Sequence, residues 1–436
     1  MFTASLVACS QSASGLPPTV GPAFNQHVVA HAAPTLKIAF NGVNARFATG
    51  SVATGVGFGG LLVQGVKLSV SGGTGTYKYA LTSSNAAVVA VAGTTAGQFT
   101  VTPKAEIPRI FLKATATPAT GKAVVANIAL QIAPLVYVAS YPGSGGGKIG
   151  VYAPWSKDAI VAVNESGPLG ITVDGKGNVW LANTTTVEEY TAGLLKHVRT
   201  IAGFTKASDV AVDGLGNAYC EDFGKFDVTE YAPNGGSTPS RTFGNAQGIT
   251  GAQWVAVDSL NDLYIADYYA GVLVYGPGSS TTPLRTLSNG VVNPRMAVVA
   301  GQNLYVANNA PNQTIPRFPV GSTTPSLTFG TGSGLAGASN LAVDDKGDLY
   351  ASIDNIGAGN ALEYTPVSHA SPSRTFALTG GGNPVGLATD SLGNLYVANG
   401  INYIDVFAPG TSTTPHYSIG CPSCDIYSPD AVAVWP

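Results

Sequence analysis

Four residues of different chemistry stand at the same place in consecutive copies of a short repeated segment. Each precedes an apolar run of the kind LAVDDKGDLY, which begins at Leu341. The four are Asp209, Trp254, Arg295 and Asn340. A carboxylate, an indole, a guanidinium and an amide gathered at one mouth suit a small polar ligand, a sugar or a peptide end. The alternative is ordinary loop variation, because other copies carry small residues there: Gly170, Gly386 and Ala431.

Two aromatic residues belong to the same candidate site. Tyr268 and Tyr269 follow the second strand of the copy that contains Trp254. We expect them to lie on the adjoining loop and to overhang the mouth. Together with the four residues before the apolar runs, they complete the predicted ligand-binding set.

Acidic residues also recur inside the repeat, at the start of a tight turn. The copies begin at Asp174, Asp213, Asp344 and Asp390. An Asp-rich repeat is one signature of calcium binding, but Ca²⁺ takes about 6–8 oxygen ligands and each isolated turn offers one carboxylate. We therefore interpret each Asp as an acceptor for the amides of a hairpin turn. Polar residues at the ends of the second strands are interpreted as turn caps, or as a polar rim: Ser140, Asn183, Asp222, Asp267, Asn308, Asp354, Asn355 and Asn399.

The sequence offers no complete catalytic group. G-x-S-x-G and H-E-x-x-H motifs are absent, and the Gly-rich segment 143–148 lacks the spacing of a phosphate loop. We assign no catalytic residue, no metal site and no cofactor. The histidines lie in the N-terminal segment or near outer strands, away from the expected mouth: His27, His31, His197, His369 and His416.

The four cysteines have three different interpretations. Cys421 and Cys424 are expected to form a local disulfide; as a zinc site they would supply only half of the ligands. Cys220 replaces an apolar strand residue and is interpreted as a small buried hydrophobe. Leu6-Val7-Ala8-Cys9 resembles the lipobox of bacterial lipoproteins, which implies acylation of Cys9, although few residues precede it.

The elements that must position the candidate site come from a repeat over residues 134–436. An aromatic residue opens the second strand of each copy, at steps of 43, 39, 45, 41, 45 and 46 residues. These aromatics are Tyr137, Trp180, Tyr219, Tyr264, Tyr305, Tyr350 and Tyr396. A third and a fourth short strand follow in each copy. Four short strands in a unit of this length predict a β-propeller blade.

The two ends of the repeat region complement each other. Leu135–Ser140 matches a second strand, and Ala431–Val434 matches a first strand with nothing after it. We expect them to share one sheet, which closes the ring and removes two open edges. Six intact copies and one split copy predict seven blades.

The copies ITVDGKGNVW, VAVDGLGNAY, VAVDSLNDLY, MAVVAGQNLY, LAVDDKGDLY and LATDSLGNLY resemble the NHL repeat. More loosely they are similar to the streptogramin lyases and the senescence-marker lactonases. The resemblance implies a propeller and leaves the activity open. The lactonases would place metal ligands before the inner strands, where Asp209 and Asn340 match in type and Arg295 would repel a divalent ion. The lyases rely on a His general base, which the expected mouth lacks.

Residues 34–133 form a different region with short alternating runs. Strands are predicted at 66–70, 77–81, 88–91, 98–101, 110–114 and 124–132. The passage GGTGTYKYALTSSNAAVVAV, followed by GQFTVTP, resembles bacterial Ig-like domains. This resemblance implies a small β-sandwich that acts as a spacer or an adhesive unit.

Composition narrows the classes of function. Charged residues make up 10% of the chain, against roughly 25% in typical soluble domains. The 55 Gly and 28 Pro favour a β-rich exported protein. A net charge of −3 provides no basic face for nucleic acid. We interpret residues 1–33 as a truncated signal, a lipobox and a flexible tether, and expect an envelope protein, lipid-anchored or secreted.

These observations favour a non-catalytic, exported binding protein. It would present a propeller face to a protein, peptide or carbohydrate, as a monomer held to a membrane through Cys9. One alternative is an exported lactonase- or lyase-type enzyme with its site at the central mouth. The other is a structural component of the cell envelope. An enzyme would need acid/base or metal groups gathered at the mouth.

Overall fold

A computed structural model describes residues 34–40, 45–49, 54–59, 64–71, 75–141, 146–154, 158–278, 280–309, 314–332, 335, 338–353, 359–420, 426 and 429–435. The chain divides into two compact units, Met1–Ala133 and Pro134–Pro436. Strands dominate both units. The helical elements in the described ranges are two single-turn 3-10 helices, Asn245–Gln247 and Thr379–Gly381. Among those residues no helix is long and apolar enough to cross a membrane.

The first unit consists of two sheets around one apolar core. Its described strands are β1 (Thr35–Phe40), β2 (Ala45–Thr49), β3 (Thr54–Gly59), β4 (Gln64–Ser71), β5 (Tyr77–Ser83), β6 (Val89–Gly93), β7 (Gln98–Pro103), β8 (Ile107–Pro118) and β9 (Val124–Ala133). The sheet orders are β1-β4-β7-β6 and β2-β3-β9-β8-β5. Leu68 and Val101 of one sheet and Leu112 and Leu130 of the other belong to one buried cluster. The six predicted strands are confirmed, whereas β1, β2 and β3 were not predicted.

The second unit is a series of short antiparallel strands. They are β10 (Leu135–Ser140), β11 (Gly147–Tyr152), β12 (Val161–Glu165), β13 (Pro168–Val173), β14 (Val179–Tyr190), β15 (His197–Val212), β16 (Ala218–Asp222), β17 (Asp227–Tyr231), β18 (Arg241–Phe243), β19 (Ala252–Val257), β20 (Leu263–Asp267), β21 (Gly271–Tyr275), β22 (Arg285–Leu287), β23 (Pro294–Ala300), β24 (Asn303–Asn308), β25 (Ile315–Pro319), β26 (Leu327–Phe329), β27 (Ala338–Val343), β28 (Leu349–Ile353), β29 (Asn360–Tyr364), β30 (Arg374–Phe376), β31 (Gly386–Thr389), β32 (Leu395–Ala398), β33 (Ile404–Phe407), β34 (Tyr417–Ile419) and β35 (Pro429–Trp435).

These strands assemble into sheets of repeated order. Four sheets follow the chain as β19-β20-β21-β22, β23-β24-β25-β26, β27-β28-β29-β30 and β31-β32-β33-β34. A longer sheet has the order β13-β14-β15-β16-β17-β18. The remaining sheet, β12-β11-β10-β35, joins the two ends of the unit. In it Val136 pairs with Val434 and Val138 with Val432, which is the pairing that the complementary end fragments predict.

One set of strands, taken from every sheet, forms a continuous series of neighbours. The series of contacts runs β13, β15, β19, β23, β27, β31 and β35, and β35 also contacts β13. We call these strands the inner strands. Because the series returns to its start, no inner strand within it is left without a neighbour on either side.

In the copies of the repeat that carry Asp, this residue stabilises the hairpin between the inner strand and its partner. Asp258 Oδ1 accepts hydrogen bonds from the amides of Leu260 and Asp262, both at 2.9 Å, and its Oδ2 accepts one from the Tyr264 hydroxyl at 2.9 Å. Turns at Asp174, Asp213, Asp344 and Asp390 repeat the two amide contacts. The interpretation of these carboxylates as turn acceptors is confirmed.

Buried Arg–Glu pairs join adjacent sheets at the outer strands. The Arg241 guanidinium pairs with Glu230 on the neighbouring strand, and both side chains are buried. It also donates to the carbonyls of Gly276 and Ser280 in the next sheet, at 3.0 and 2.9 Å. Arg374 and Glu363 repeat the arrangement toward Ala408 and Ser412. The SRTF motif of the fourth strand therefore links one sheet to the next.

Candidate functional site

The inner strands enclose a central cavity of about 440 Å³. Its wall includes the residue that stands before the apolar run in six of the copies: Gly170, Asp209, Trp254, Asn340, Gly386 and Ala431. We call the end of the cavity marked by these residues the mouth. The prediction that this position lies at the cavity is confirmed for those six. A ligand-binding role for any of them stays a prediction.

A β-bulge sets the position of these residues. The pairing of inner strands with their partners skips one residue between Ala207 and Asp209, between Ala252 and Trp254, and between Ala338 and Asn340. The skipped residues Ser208 and Ser339 also line the cavity. Bulges commonly occur at rims and redirect a side chain. In β13, β15 and β27 the skipped residue and the one after it therefore both line the cavity, whereas in β19 and β23 only the residue after the bulge does.

The position expected for Arg295 is occupied by Met296. Met296 pairs with Ala307, as Trp254 pairs with Ala266, and Met296 lines the cavity. The hairpin of β23 and β24 closes tightly, with Ala300 paired to Asn303. It is one residue shorter than the Asp-containing hairpins, so counting back from Tyr305 gives the wrong residue. Arg295 is the bulged residue, half-buried and outside the cavity wall.

Residues at this position touch the next inner strand. Asp209 Oδ2 accepts a hydrogen bond from the Val255 amide at 3.1 Å, and Asn340 Oδ1 accepts one from the Leu387 amide at 3.3 Å. The Leu341 amide lies 3.1 Å from Met296 Sδ. At Gly170 a Cβ would lie 2.5 Å from the Ser208 carbonyl oxygen, so only glycine fits there. The variation between copies is therefore partly a matter of contact between neighbouring strands.

The sheet that contains Asp209 holds a second buried carboxyl that the sequence analysis did not single out. Glu221 pairs with Asp209 across β15 and β16, is 0% exposed, and hydrogen-bonds to the Ser208 hydroxyl. Within the described part of the chain, its Oε1 has no hydrogen-bond partner. The equivalent residue is small in the other sheets: Ala139, Ala182, Ala266, Ala307, Ser352 and Ala398. Aligning AYCED with LYIAD and LYVAN would have revealed this exception.

Burial controls the protonation of this pair. Loss of hydration raises the pKa of Asp209 to about 7, and the amides of Val255 and Val210 oppose the shift. Burial, with the nearby carboxylates of Asp209 and Asp222 adding to it, raises the pKa of Glu221 to about 9. Glu221 is therefore protonated at pH 7, whereas Asp209 is divided between its two forms.

The sheet of β27 and β28 carries a neutral counterpart of this group. Ser339, Asn340 and Ser352 occupy the positions of Ser208, Asp209 and Glu221. The hydroxyl oxygens of Ser339 and Ser352 lie 3.0 Å apart. Asn340 makes the same contact to the next inner strand that Asp209 makes. The two groups differ in charge rather than in connectivity.

The aromatic residues of the predicted site differ in how deeply they are buried. Trp254 is half-buried and lines the cavity. Tyr268 and Tyr269 lie on the loop between β20 and β21, outside the cavity wall, and Tyr269 is 75% exposed. They pack over Gly251, where a Cβ would lie 2.8 Å from Tyr269 Cδ2. Gly251 directly precedes β19, so the two tyrosines stand beside the approach to Trp254.

The charges on the cavity wall are acidic. Asp209 and Asp430 are its ionisable residues, and the wall-forming residues of the described ranges include no Lys, Arg or His. Burial raises the pKa of Asp430 to about 6, against the opposing effect of the Tyr141 amide. Within the described residues no group of three or more His, Cys, Asp or Glu could hold a metal ion.

Polar residues at the ends of the second strands act as caps. Asp267 accepts hydrogen bonds from the amides of Thr250 and Gly251 before β19 and of Tyr269 and Ala270 after β20. Asn183, Asp222, Asn308 and Asn399 likewise accept from loop amides. This supports the turn-cap interpretation for these five. Ser140 is buried, and Asp354 and Asn355 lie outside the described residues.

The described histidines lie away from the cavity wall. The His197 imidazole contacts Glu188 at 2.9 Å and Thr200 at 3.1 Å on the outer strands. His369 Nδ1 lies 3.3 Å from the Pro366 carbonyl, and His416 packs against Tyr417. None of the three lines the cavity.

Only one cysteine falls within the described residues. Cys220 is buried in β16, and burial raises the pKa of its thiol well above the usual range. The expected lipid attachment at Cys9 and the expected disulfide between Cys421 and Cys424 lie outside the described residues.

No family model matches the chain, and no curated protein matches it. Solved structures do. A protein from Lactobacillus plantarum is 15% identical with a TM-score of 0.51, and the match covers 70% of this chain and 99% of that one. The WD40 β-propeller domain of Doa1 is 13% identical with a TM-score of 0.50, covering 64% and 91%. A streptogramin B lyase is 14% identical with a TM-score of 0.48, covering 68% and 91%. The likeness to the WD40 domain, with the repeated four-stranded sheets, shows an all-β protein with a β-propeller neighbour.

Proposed function

We propose that the chain is a non-catalytic binding protein that takes a small polar ligand at the mouth of a seven-bladed propeller. The observation that carries this proposal is the composition of the mouth. Asp209, Trp254 and Asn340 interrupt a ring of otherwise small or apolar residues, beside a cavity of about 440 Å³. Ligand pockets of roughly 300–1,000 Å³ with a few convergent polar groups are typical of small-molecule sites.

Seven blades follow from dividing the longer sheet. Thr184 has a φ of 55° within β14, and Gly203 has a φ of 107° within β15. Breaks at these residues divide the sheet into two sets of four strands. Counted with the four regular sheets and the sheet that joins the chain ends, they make seven blades, which agrees with the number of inner strands in the contact series. We assign the blades to the NHL type on the repeated segments.

The first unit and the N-terminal segment extend the proposal. We assign residues 34–133 to an Ig-like spacer and Cys9 to a lipid anchor. The protein would then be a monomer that presents the propeller to a peptide, protein or carbohydrate from the cell envelope. Incorporation of labelled palmitate that persists in a Cys9→Ala variant would contradict the anchor.

An enzyme of the lactonase or lyase type is the second candidate. The grouping of Ser208, Asp209 and Glu221 favours it, because paired carboxyls with raised pKa values occur at acid/base sites. A purely structural envelope role is the third. It predicts that no small molecule stabilises the protein.

A thermal-unfolding screen of the full chain separates these functions. All four tryptophans lie after residue 133, so tryptophan fluorescence follows the second unit. A ligand at 100 times its Kd stabilises the folded state by about 2.7 kcal/mol. We expect stabilisation by a sugar, peptide or amine that is lost in Trp254→Ala and kept in Leu284→Ala, whose exposed side chain lies outside the cavity wall. If Trp254→Ala leaves the stabilisation intact, the ligand does not use this mouth.

A further inference from the structure

The mouth has acidic groups without basic partners. Asp209 and Asp430 line the cavity, and the described wall residues supply no cation. Trp254 lies on the inner strand next to that of Asp209, where the amide of the following residue, Val255, donates to the Asp209 carboxylate. Both residues line the cavity. A cavity wall that offers both an indole and a carboxylate suits an ammonium group.

The second buried carboxyl of this sheet, that of Glu221, is an independent feature of the site. Glu221 stands opposite Asp209 in an antiparallel pair, so both side chains project from the same face of the sheet. Glu221 Oε1 is fully buried, and no atom of the described residues forms a hydrogen bond with it. The other sheets place Ala or Ser at this position, so the fold does not require the acid. A buried carboxyl without a partner costs stability.

The groups that face the pair directly are acidic or neutral. From β15 come Ser208 and the Val210 amide, from β16 Cys220 and Asp222, from β17 Asp227, and from β19 the Val255 amide. Two cations lie one step further away: Lys225 pairs with Asp222 at 3.0 Å, and Arg199 acts on Cys220. Neither is among the main causes of the raised pKa of Asp209 or Glu221. Ionising both carboxyls in this setting is energetically unfavourable. A cation brought by a ligand would lower that electrostatic cost.

We propose that the mouth binds the ammonium group of its ligand, with the Asp209 carboxylate as the charged partner and the Trp254 ring as the aromatic face. This inference rests on the proposed function and adds the chemical class of the ligand. Glu221 stays protonated and hydrogen-bonded to Ser208, so the pair presents one negative charge to the cavity. The group of Ser339, Asn340 and Ser352 is the neutral counterpart and gives no preference for a cation.

Binding should strengthen as pH rises. An ammonium ligand favours ionised Asp209, whose pKa is about 7 in the free protein. Between pH 6 and pH 8 its ionised fraction rises roughly tenfold, and the affinity for a permanently charged ligand should rise by the same factor. A neutral ligand of the same shape should show no such rise.

Matched probe pairs test the inference. Choline is compared with 3,3-dimethylbutan-1-ol, and putrescine with 1,4-butanediol, by calorimetry on the full chain at pH 6, 7 and 8. We expect the charged member of at least one pair to bind at least tenfold more tightly at pH 8. Asp209→Asn, which keeps the acceptor for the Val255 amide, should remove both the preference and the pH dependence. Asn340→Ala should keep the ratio of charged to neutral affinity.

The outcomes separate the two proposals. Equal binding of charged and neutral members, or an unchanged preference in Asp209→Asn, overturns the ammonium site and leaves a small-ligand mouth in place. No binding by any of the four probes overturns the ammonium site. If sugars and peptides also fail to stabilise the chain, the proposed function falls with it. Thermal unfolding of Asp209→Asn verifies that the variant is folded, and Trp254→Ala provides a second variant that should weaken the charged probes.

Discussion

Replacing Glu221 by Gln should change how the stability of the second unit depends on pH. Glu221 is 0% exposed and its pKa is about 9, above the ordinary value of 4.5. The folded state therefore keeps a proton that the unfolded chain releases between about pH 4.5 and pH 9. Stability falls as pH rises through this window and levels off above it. Gln has nearly the same shape and does not titrate, so this contribution should disappear.

The pH interval between the unfolded and folded pKa values of Glu221 sets the size of the loss in stability. Each pH unit inside it costs about 1.4 kcal/mol of unfolding free energy. Asp209, with a pKa of about 7, and Asp430, with a pKa of about 6, contribute to the slope only at lower pH. Between pH 7 and pH 8.5 Glu221 is thus the main source, and the wild-type chain should lose about 2 kcal/mol there. Glu221→Gln should lose little, whereas Asp209→Asn should lose as much as the wild type.

Urea unfolding followed by tryptophan fluorescence measures this difference. Curves at pH 7, 7.5, 8 and 8.5 give the unfolding free energy of the second unit, which contains all four tryptophans. Equal slopes for Glu221→Gln and the wild type would refute the reasoning, because Glu221 would then be ionised in the folded state. A slope that disappears in Asp209→Asn as well would show that the two carboxyls titrate as one unit.

Three further predictions concern the scaffold. Arg241→Ala should cost about 3–5 kcal/mol of unfolding free energy, since it leaves Glu230 buried without its cation. Arg285→Ala should cost less in the same urea assay, because the Arg285 side chain is 17% exposed against 3% for Arg241; equal losses would contradict a role for the burial of the arginine. Asp258→Ala should cost about 2 kcal/mol because two turn amides and the Tyr264 hydroxyl lose their acceptor; hydrogen exchange should rise at Leu260 and Asp262, and unchanged exchange would show that the turn does not depend on Asp258. In a variant with Cys9, Cys421 and Cys424 changed to Ser, the buried Cys220 thiol should react with a disulfide reagent only as fast as the sheet opens; rapid labelling in native buffer would show that β16 is accessible.

Local chemistry made much of the fold predictable. A large aromatic that recurs at a regular spacing within a short apolar run indicates a strand buried on both faces. The aromatics that follow this pattern are buried: Tyr219, Tyr264, Tyr305, Tyr350 and Tyr396. The Asp turns were predictable because one carboxylate and two nearby amides form a contact inside a single hairpin. Strand β3, TGVGFG, escaped because glycine occupies every second position and leaves little pattern. The short segments TLKIAF of β1 and ARFAT of β2 contain no glycine and were not singled out as strands.

The contacts that cross between sheets could not be predicted in the same way. Whether Arg295 or Met296 reaches the mouth depends on one residue of hairpin length, and a shift of one residue reverses the face of a strand. The partners of Arg241 in the next sheet are 35 and 39 residues away, and no local pattern announces them. Glu221 was visible as an exception in the repeat, but its pairing with Asp209 became evident only from the register. Because Met296 and not Arg295 lines the cavity, Arg295 does not repel a divalent ion there, contrary to what the sequence had suggested.

The pairing of β10 with β35 also has a consequence for the time at which the second unit can fold. Leu135 and Trp435, which pair, are separated by nearly the whole unit. Closing a flexible loop of that length costs about 5 kcal/mol of chain entropy by the logarithmic relation. The contacts of β35 must offset this loss of chain entropy, and they can form only after the preceding sheets have been synthesised. Until residues 429–435 emerge, β10 lacks a strand on one side and β31 lacks its inner-strand neighbour, so the series of inner strands cannot close before this segment has been synthesised.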